Sequence, residues 1–172
     1  MSRLKYSKKL IFYIVIILFI SGVIYFYPRE ISKDFSGIMY RLGDTNYLEN
    51  MNVSIQGNIS KGLLKGDKFE GAIFIGDKKL TKISMRFDDF GRGNLFYYDE
   101  NVGDYKSYGD LISNNMRDEF TIIVLEENKE KRGSSSWSSK DGLMISAPAS
   151  SRNEALGISN KLMKDILVNE LK

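Results

Sequence analysis

The chain has 172 residues, 27% of them charged, with 25 Lys and Arg against 22 Asp and Glu, a formal net charge of +3 and neither cysteine nor histidine. The missing residue types exclude Ser-His-Asp and Cys-His catalysis, sortase-type thiol chemistry, disulfide staples, lipid attachment at a cysteine and the ordinary zinc sites within one chain. Richness in Ile, Lys and Asn without Cys or His gives the chain the compositional look of a protein from a low-GC bacterium.

Residues 1–9 carry Arg3, Lys5, Lys8 and Lys9 and no acid. The following Leu10 to Tyr27 is uncharged and mostly apolar. At about 1.5 Å per helical residue it nearly matches a hydrocarbon core of roughly 30 Å. Residues 10–28 are therefore expected to be a single transmembrane anchor, with 1–9 a cytoplasmic tail and everything beyond Pro28 extracytoplasmic, because positive charge stays inside. A cleaved signal peptide is the competing reading, since it shares the basic start and apolar stretch. Ile20-Ser21-Gly22 is a poor cleavage site, and a cut there leaves Val23 to Tyr27 as an apolar new start, which favours retention. Arg3, Lys5, Lys8 and Lys9 on one side and Tyr25, Phe26 and Tyr27 on the other are expected at the two membrane interfaces, with Pro28 ending the helix.

Because the tail holds four of the basic residues and no acid, residues 28–172 sum to −1. A nearly neutral outer part lacks the concentrated basic face that nucleic acid requires. Its roughly 145 residues suit one ordinary domain.

Residues 29–50 show no clear periodicity and are expected as a linker, with residues 51–172 forming the domain. Val53, Ile55, Gly57 and Ile59 alternate with polar residues, as do Ile83, Met85 and Phe87, the period-2 signature of strands with one wet face. Phe69 to Ile75, Leu95 to Tyr98 and Leu143 to Ile145 read as further strands. Phe120 to Leu125, apolar on both sets, reads as a sixth that is covered on both faces. Asp110 to Met116 fits a short helix. In the C-terminal segment Ala155, Leu156, Ile158, Leu162, Met163, Ile166, Leu167 and Leu171 recur at helical spacing, and Ser151 with Glu154 fits a capping box. The expected class is α+β: a transmembrane helix, then a mainly antiparallel sheet with a C-terminal amphipathic helix packed on it.

Chemistry is sparse. A serine with a lysine base survives as a nucleophilic option, but Ser84-Met85 alternates like an ordinary strand, and the Ser-x-x-Lys spacing of Ser2 and Lys5 lies on the cytoplasmic side. The carboxylate pairs Asp88 and Asp89, Asp99 and Glu100, and Glu126 and Glu127 are the only route to glycoside hydrolysis, and each sits beside a turn or strand end. Lys129, Lys131 and Arg132 accompany the last pair. Asp99, Asn101 and Asp104 depart from calcium-loop spacing. Trp137, Tyr97 and Tyr98 are the candidate partner contacts; Tyr97 and Tyr98 must point to opposite sheet faces.

The expected function is a non-catalytic binding or accessory domain of a bacterial-type cell envelope, without metal or cofactor. Its partners are the lipid bilayer and another membrane or envelope protein. The alternatives are an envelope-polymer hydrolase using paired carboxylates and a complex subunit that associates through its span.

Overall fold

A computed structural model describes residues 2–62, 66–128 and 134–172, with side chains from Lys8 onward. It opens with α1 (Ser2–Phe26), in which Lys8–Phe26 is long and apolar enough to cross a membrane and is buried nowhere in the protein. Apolar side chains occupy all sides of α1, so it has no single face with which to dock on a domain. Pro28, which has no N–H to give, separates it from the first strand.

The strands that follow are β1 (Arg29–Arg41), β2 (Asp44–Ser60), β3 (Lys68–Ile75), β4 (Lys78–Arg86), β5 (Arg92–Asp99), β6 (Asp104–Ile112), β7 (Phe120–Val124), β8 (Glu126–Glu127), β9 (Ser135–Ser136) and β10 (Leu143–Ala147), before α2 (Arg152–Met163). Eight of them close into an antiparallel barrel in which β1 to β7 pair in chain order and β10 joins β7 to β1; β8 and β9 form a separate small hairpin. This is an up-and-down barrel, an architecture that removes open sheet edges by closure. The six expected strand regions are all strands, but the sheet closes on itself.

Residues 29–50 are not a linker: they form β1 and the first part of β2. Two features hide β1 in the sequence. Lys33 sits on its inward-facing set, where its Nζ donates to the Arg117 carbonyl at 2.5 Å. From Ile38 onward the outer face is covered too, so the alternation disappears. Asp110 to Met116 is likewise not a helix, since β6 runs through Ile112.

Alternation along the strands points Ile55, Phe69, Ile73, Leu80, Leu95, Leu111, Phe120 and Ile145 inward, and all are fully buried in one cluster. An eight-stranded barrel is just wide enough for side chains to fill. Phe35 and Phe120 meet edge-on at 5.2 Å within it. Close wall packing needs Gly57 and Gly71, which oppose each other across β2 and β3: a Cβ on either would come within 3.0 Å of the other's Cα.

The second cluster lies outside the barrel. The outward side chains Ile38 and Tyr40 of β1, Leu42 just beyond it, Met144 of β10 and Ile123 of β7 pack beneath α2, whose Ala155, Ser159, Leu162 and Met163 are buried. Helical spacing puts these four on one face. Ser151 caps the helix by accepting from the Glu154 N–H at 3.3 Å. Glu154 reaches back to Ser150, accepting from its N–H and hydroxyl, both at 2.8 Å, and these bonds hold its carboxyl below the usual range. The helix is shorter than the apolar pattern suggests. After Met163 the chain folds back, and the Asn160 side chain clamps Leu171 by accepting from its N–H at 2.8 Å and donating to its carbonyl at 3.1 Å.

At the α2–barrel contact four hydroxyls meet in a dry layer. Ser159 lies 2.7 Å from Tyr40 and 2.8 Å from both Thr121 and Ser146, and Thr121 lies 2.9 Å from Ser146. Buried hydroxyls are tolerated only when paired. Mutual pairing here fixes the register of the helix on the wall.

Candidate functional site

Strand directions place the α1 junction and the turn after β4 at one end of the barrel. The turns after β1, β3 and β5 lie at the other, with the β7–β10 connection. Each end has a depression. At the α1 end a pocket of about 220 Å³ is lined by Ile59, Asp67, Phe87, Asp88 and Met116. Asp88 Oδ1 accepts from the Phe90 and Arg92 N–H groups, both at 2.9 Å, and Oδ2 from Arg92 Nε at 3.3 Å. That carboxylate is committed to its own turn.

The groove at the far end is larger, about 670 Å³, and lies between β4 and β5. The β3–β4 turn delivers Lys78 and Lys79 to its rim. A bulge follows, with Lys82 at φ +54 and a register shift against β3. Along β5 the alternation sends Tyr97 inward and Phe96 and Tyr98 outward. The β5–β6 hairpin then brings Tyr105 opposite Tyr98, their rings meeting edge-on at 5.5 Å. Phe96 is 47% exposed and Tyr105 55%, so two aromatic faces are open to a ligand. Lys82 Nζ stands 4.0 Å above the Tyr98 ring, and Lys78 Nζ 5.4 and 4.7 Å from the Tyr97 and Tyr108 rings. Such cation–π contacts hold ammonium groups without neutralising them.

Electrostatics around the groove follow from two causes. Lys106 pairs with Asp99 at 2.8 Å, and Asp99 also accepts from the Asn101 N–H at 3.0 Å. The Lys106 hydrogen bond therefore holds the Asp99 carboxyl below the usual range, and Asp99 raises Lys106 in turn. Burial, followed by the nearby Tyr97, pushes the Tyr108 phenol up to about 12.

Glu126 pairs bidentately with Arg41, at 2.6 and 2.9 Å. The carboxyl groups whose pKa values are displaced, Asp99 and Glu154, are both lowered, whereas a general acid at neutral pH needs one raised. Among the described residues no group of three or more acidic side chains converges as a metal site. Lys129, Lys131 and Arg132 lie outside the described residues.

Of the candidate contacts, Tyr97, 8% exposed, belongs to the barrel core, and Tyr98 to the outer face. Trp137 is half-buried against the cluster under α2, beside Gly142, and its buried indole N–H has no partner among the described residues. It lies apart from the groove. Phe96, Tyr105, Lys78 and Lys82 were not singled out by sequence. The signal for Phe96 and Tyr105 was present, two residues before Tyr98 and across the Asp99–Asp104 turn. At the other end of the chain, Lys8, Lys9, Tyr25 and Tyr27 are exposed and Phe26 half-exposed; the side chains of Arg3 and Lys5 lie outside those described.

Comparison with protein-family models, curated proteins and solved structures finds no match to this chain.

Proposed function

We propose that the chain is a membrane-anchored, extracytoplasmic binding domain of the cell envelope that acts without catalysis through the outer faces of β4, β5 and β6. One observation carries this reading: from Leu10 to Ile20 every side chain of α1 is exposed, while the barrel closes its own core without it. An all-round apolar helix of this length needs an apolar surrounding, and a bilayer supplies one. The basic residues before it favour an inside N-terminus. Anchoring at the α1 end presents the far-end groove with Tyr98, and the exposed Phe96 and Tyr105 that flank Tyr98, away from the membrane. A lumen packed with side chains, and one carboxylate of each candidate pair spent on a turn or an ion pair (Asp88, Asp99 and Glu126), support binding over hydrolysis.

The test places a photo-crosslinkable residue at Phe96, Tyr105 or Gln56 in the full-length chain in its native membrane. Gln56 is exposed on β2, across the barrel from β6. Envelope components should be captured from the first two positions and not from the third. Equal capture from all three contradicts the assigned surface, and cleavage of envelope polymer by the purified chain contradicts the non-catalytic reading.

A further inference from the structure

The barrel wall is uneven. Between β3 and β4 the ladder has seven residue pairs and between β5 and β6 eight, but β4 and β5 share only Thr81 and Tyr98. The bulge at Thr81 and Lys82 accounts for this, since an extra residue on one strand bends it away from its neighbour. The far-end groove lies over this seam and is lined by both members of its one pair.

Its chemistry is specific. Asp99 is neutralised by Lys106, whereas Lys78, Lys79 and Lys82 have no carboxylate within 4.0 Å among the described residues. Lys78 and Lys79 line the groove with the hydroxyls of Thr81 and Tyr98, the amide of Asn101 and the carboxylate of Glu100; Lys82, over the Tyr98 ring, adds a third ammonium group beside it, and the open rings of Phe96 and Tyr105 flank Tyr98 on the outer face. Resting on the binding-domain reading, we propose that this groove binds an anionic glycan, a sugar polymer bearing phosphate or carboxylate groups, and that the bound chain clamps the β4–β5 seam. The ammonium groups take the negative charges, the hydroxyls and amide meet sugar hydroxyls, and the rings receive apolar sugar faces.

Competing anions fit less well. Glu100 lines the groove, and Asp77 in the β3–β4 turn and Asp104 at the start of β6 stand near it, so the field around the groove is near neutral. Nucleic acid, with its dense backbone charge, needs a continuous basic face. A polymer with sparser charges can place each between the acids. Lipid headgroups are out of reach, because the groove lies at the end opposite α1.

The test uses the full chain in detergent micelles and measures affinity electrophoresis in gels containing polygalacturonate, glycerol-phosphate glycopolymer, dextran or oligothymidylate, with amide exchange followed in parallel. Either anionic glycan should retard the chain, less so as salt is added, and slow exchange in β4 and β5. The variant Lys79→Glu with Lys82→Asn should bind about five- to tenfold more weakly, two exposed charge contacts being lost. Asparagine is chosen because it tolerates the positive φ at position 82; the single variant Lys79→Glu serves if the pair melts lower. Retardation by dextran equal to that by the anionic glycans, stronger retention by oligothymidylate, or no retardation by either anionic glycan overturns the proposal. Crosslinking from Phe96 that persists alongside any of these leaves the binding-domain reading standing and removes only the glycan.

Discussion

Ser159→Ala tests how α2 is held on the barrel. The Ser159 hydroxyl is the hub of the dry layer, 2.7 Å from Tyr40 and 2.8 Å from Thr121 and Ser146. Its removal leaves Thr121 and Ser146 paired with each other at 2.9 Å, but Tyr40 keeps only Ser146, at 3.5 Å. Burial already raises the Tyr40 pKa, a sign that its oxygen is poorly solvated. Stranding one buried hydroxyl costs about 1–3 kcal/mol, while alanine in place of serine leaves almost no cavity. For a domain of this size that lowers the melting temperature by roughly 3–9 °C. Replacing all four groups, as Tyr40→Phe, Thr121→Val, Ser146→Ala and Ser159→Ala, removes the stranded partners as well and should recover most of the loss. Thermal and urea unfolding of residues 28–172 measure both. A Ser159→Ala variant that melts like the parent, or a fourfold variant that is the least stable of the set, refutes the reasoning.

Leu162, 7% exposed on the inner face of α2, should cost about 2–5 kcal/mol on truncation to alanine; deletion of 151–172 should prevent folding by uncovering Ile38, Tyr40, Ile123 and Met144, and an unchanged melt in either case contradicts the packing. Tyr108 supplies the pH prediction: a phenol whose folded pKa is raised from 10.0 to about 12 favours the native state below pH 10, and that stability is lost as pH rises from 10 through 12. Tyr108→Phe should flatten urea stability over that window, and an unaltered slope contradicts the burial assigned to it.

How much of this was legible in the sequence depended on how each strand is covered. β2, β3, β4, β5, β7 and β10 announced themselves because one face, or both, is uniformly apolar. β1 did not, since Lys33 interrupts its inner set and α2 covers its outer set only from Ile38. The start of β2 was equally silent: Asp44 to Asn50 runs past the end of β3 and is exposed on both faces. Closure of the sheet was invisible because it depends on β10 meeting β1 across 102 to 108 residues of chain, from Arg41 and Leu143 to Ile38 and Ser146, and no local pattern encodes that pairing. The C-terminal helix was legible by its apolar stripe, but the same stripe concealed its end, because Leu171 is buried by the Asn160 clamp instead of by helix. At the groove, sequence found Tyr98 and missed the lysines, whose clustering follows from a bulge that periodicity does not reveal.

Retention of α1 as an anchor with the barrel outside, as proposed above, is open to test by single cysteines in this cysteine-free chain. Introduced at Ser2 and at Ser135, which is exposed on β9, they are treated on intact cells with a membrane-impermeant thiol reagent. Labelling is expected at position 135 only, on a protein whose N-terminus is still Met1 or Ser2. Labelling at position 2, protection of position 135, or a mature chain beginning near Val23 contradicts it.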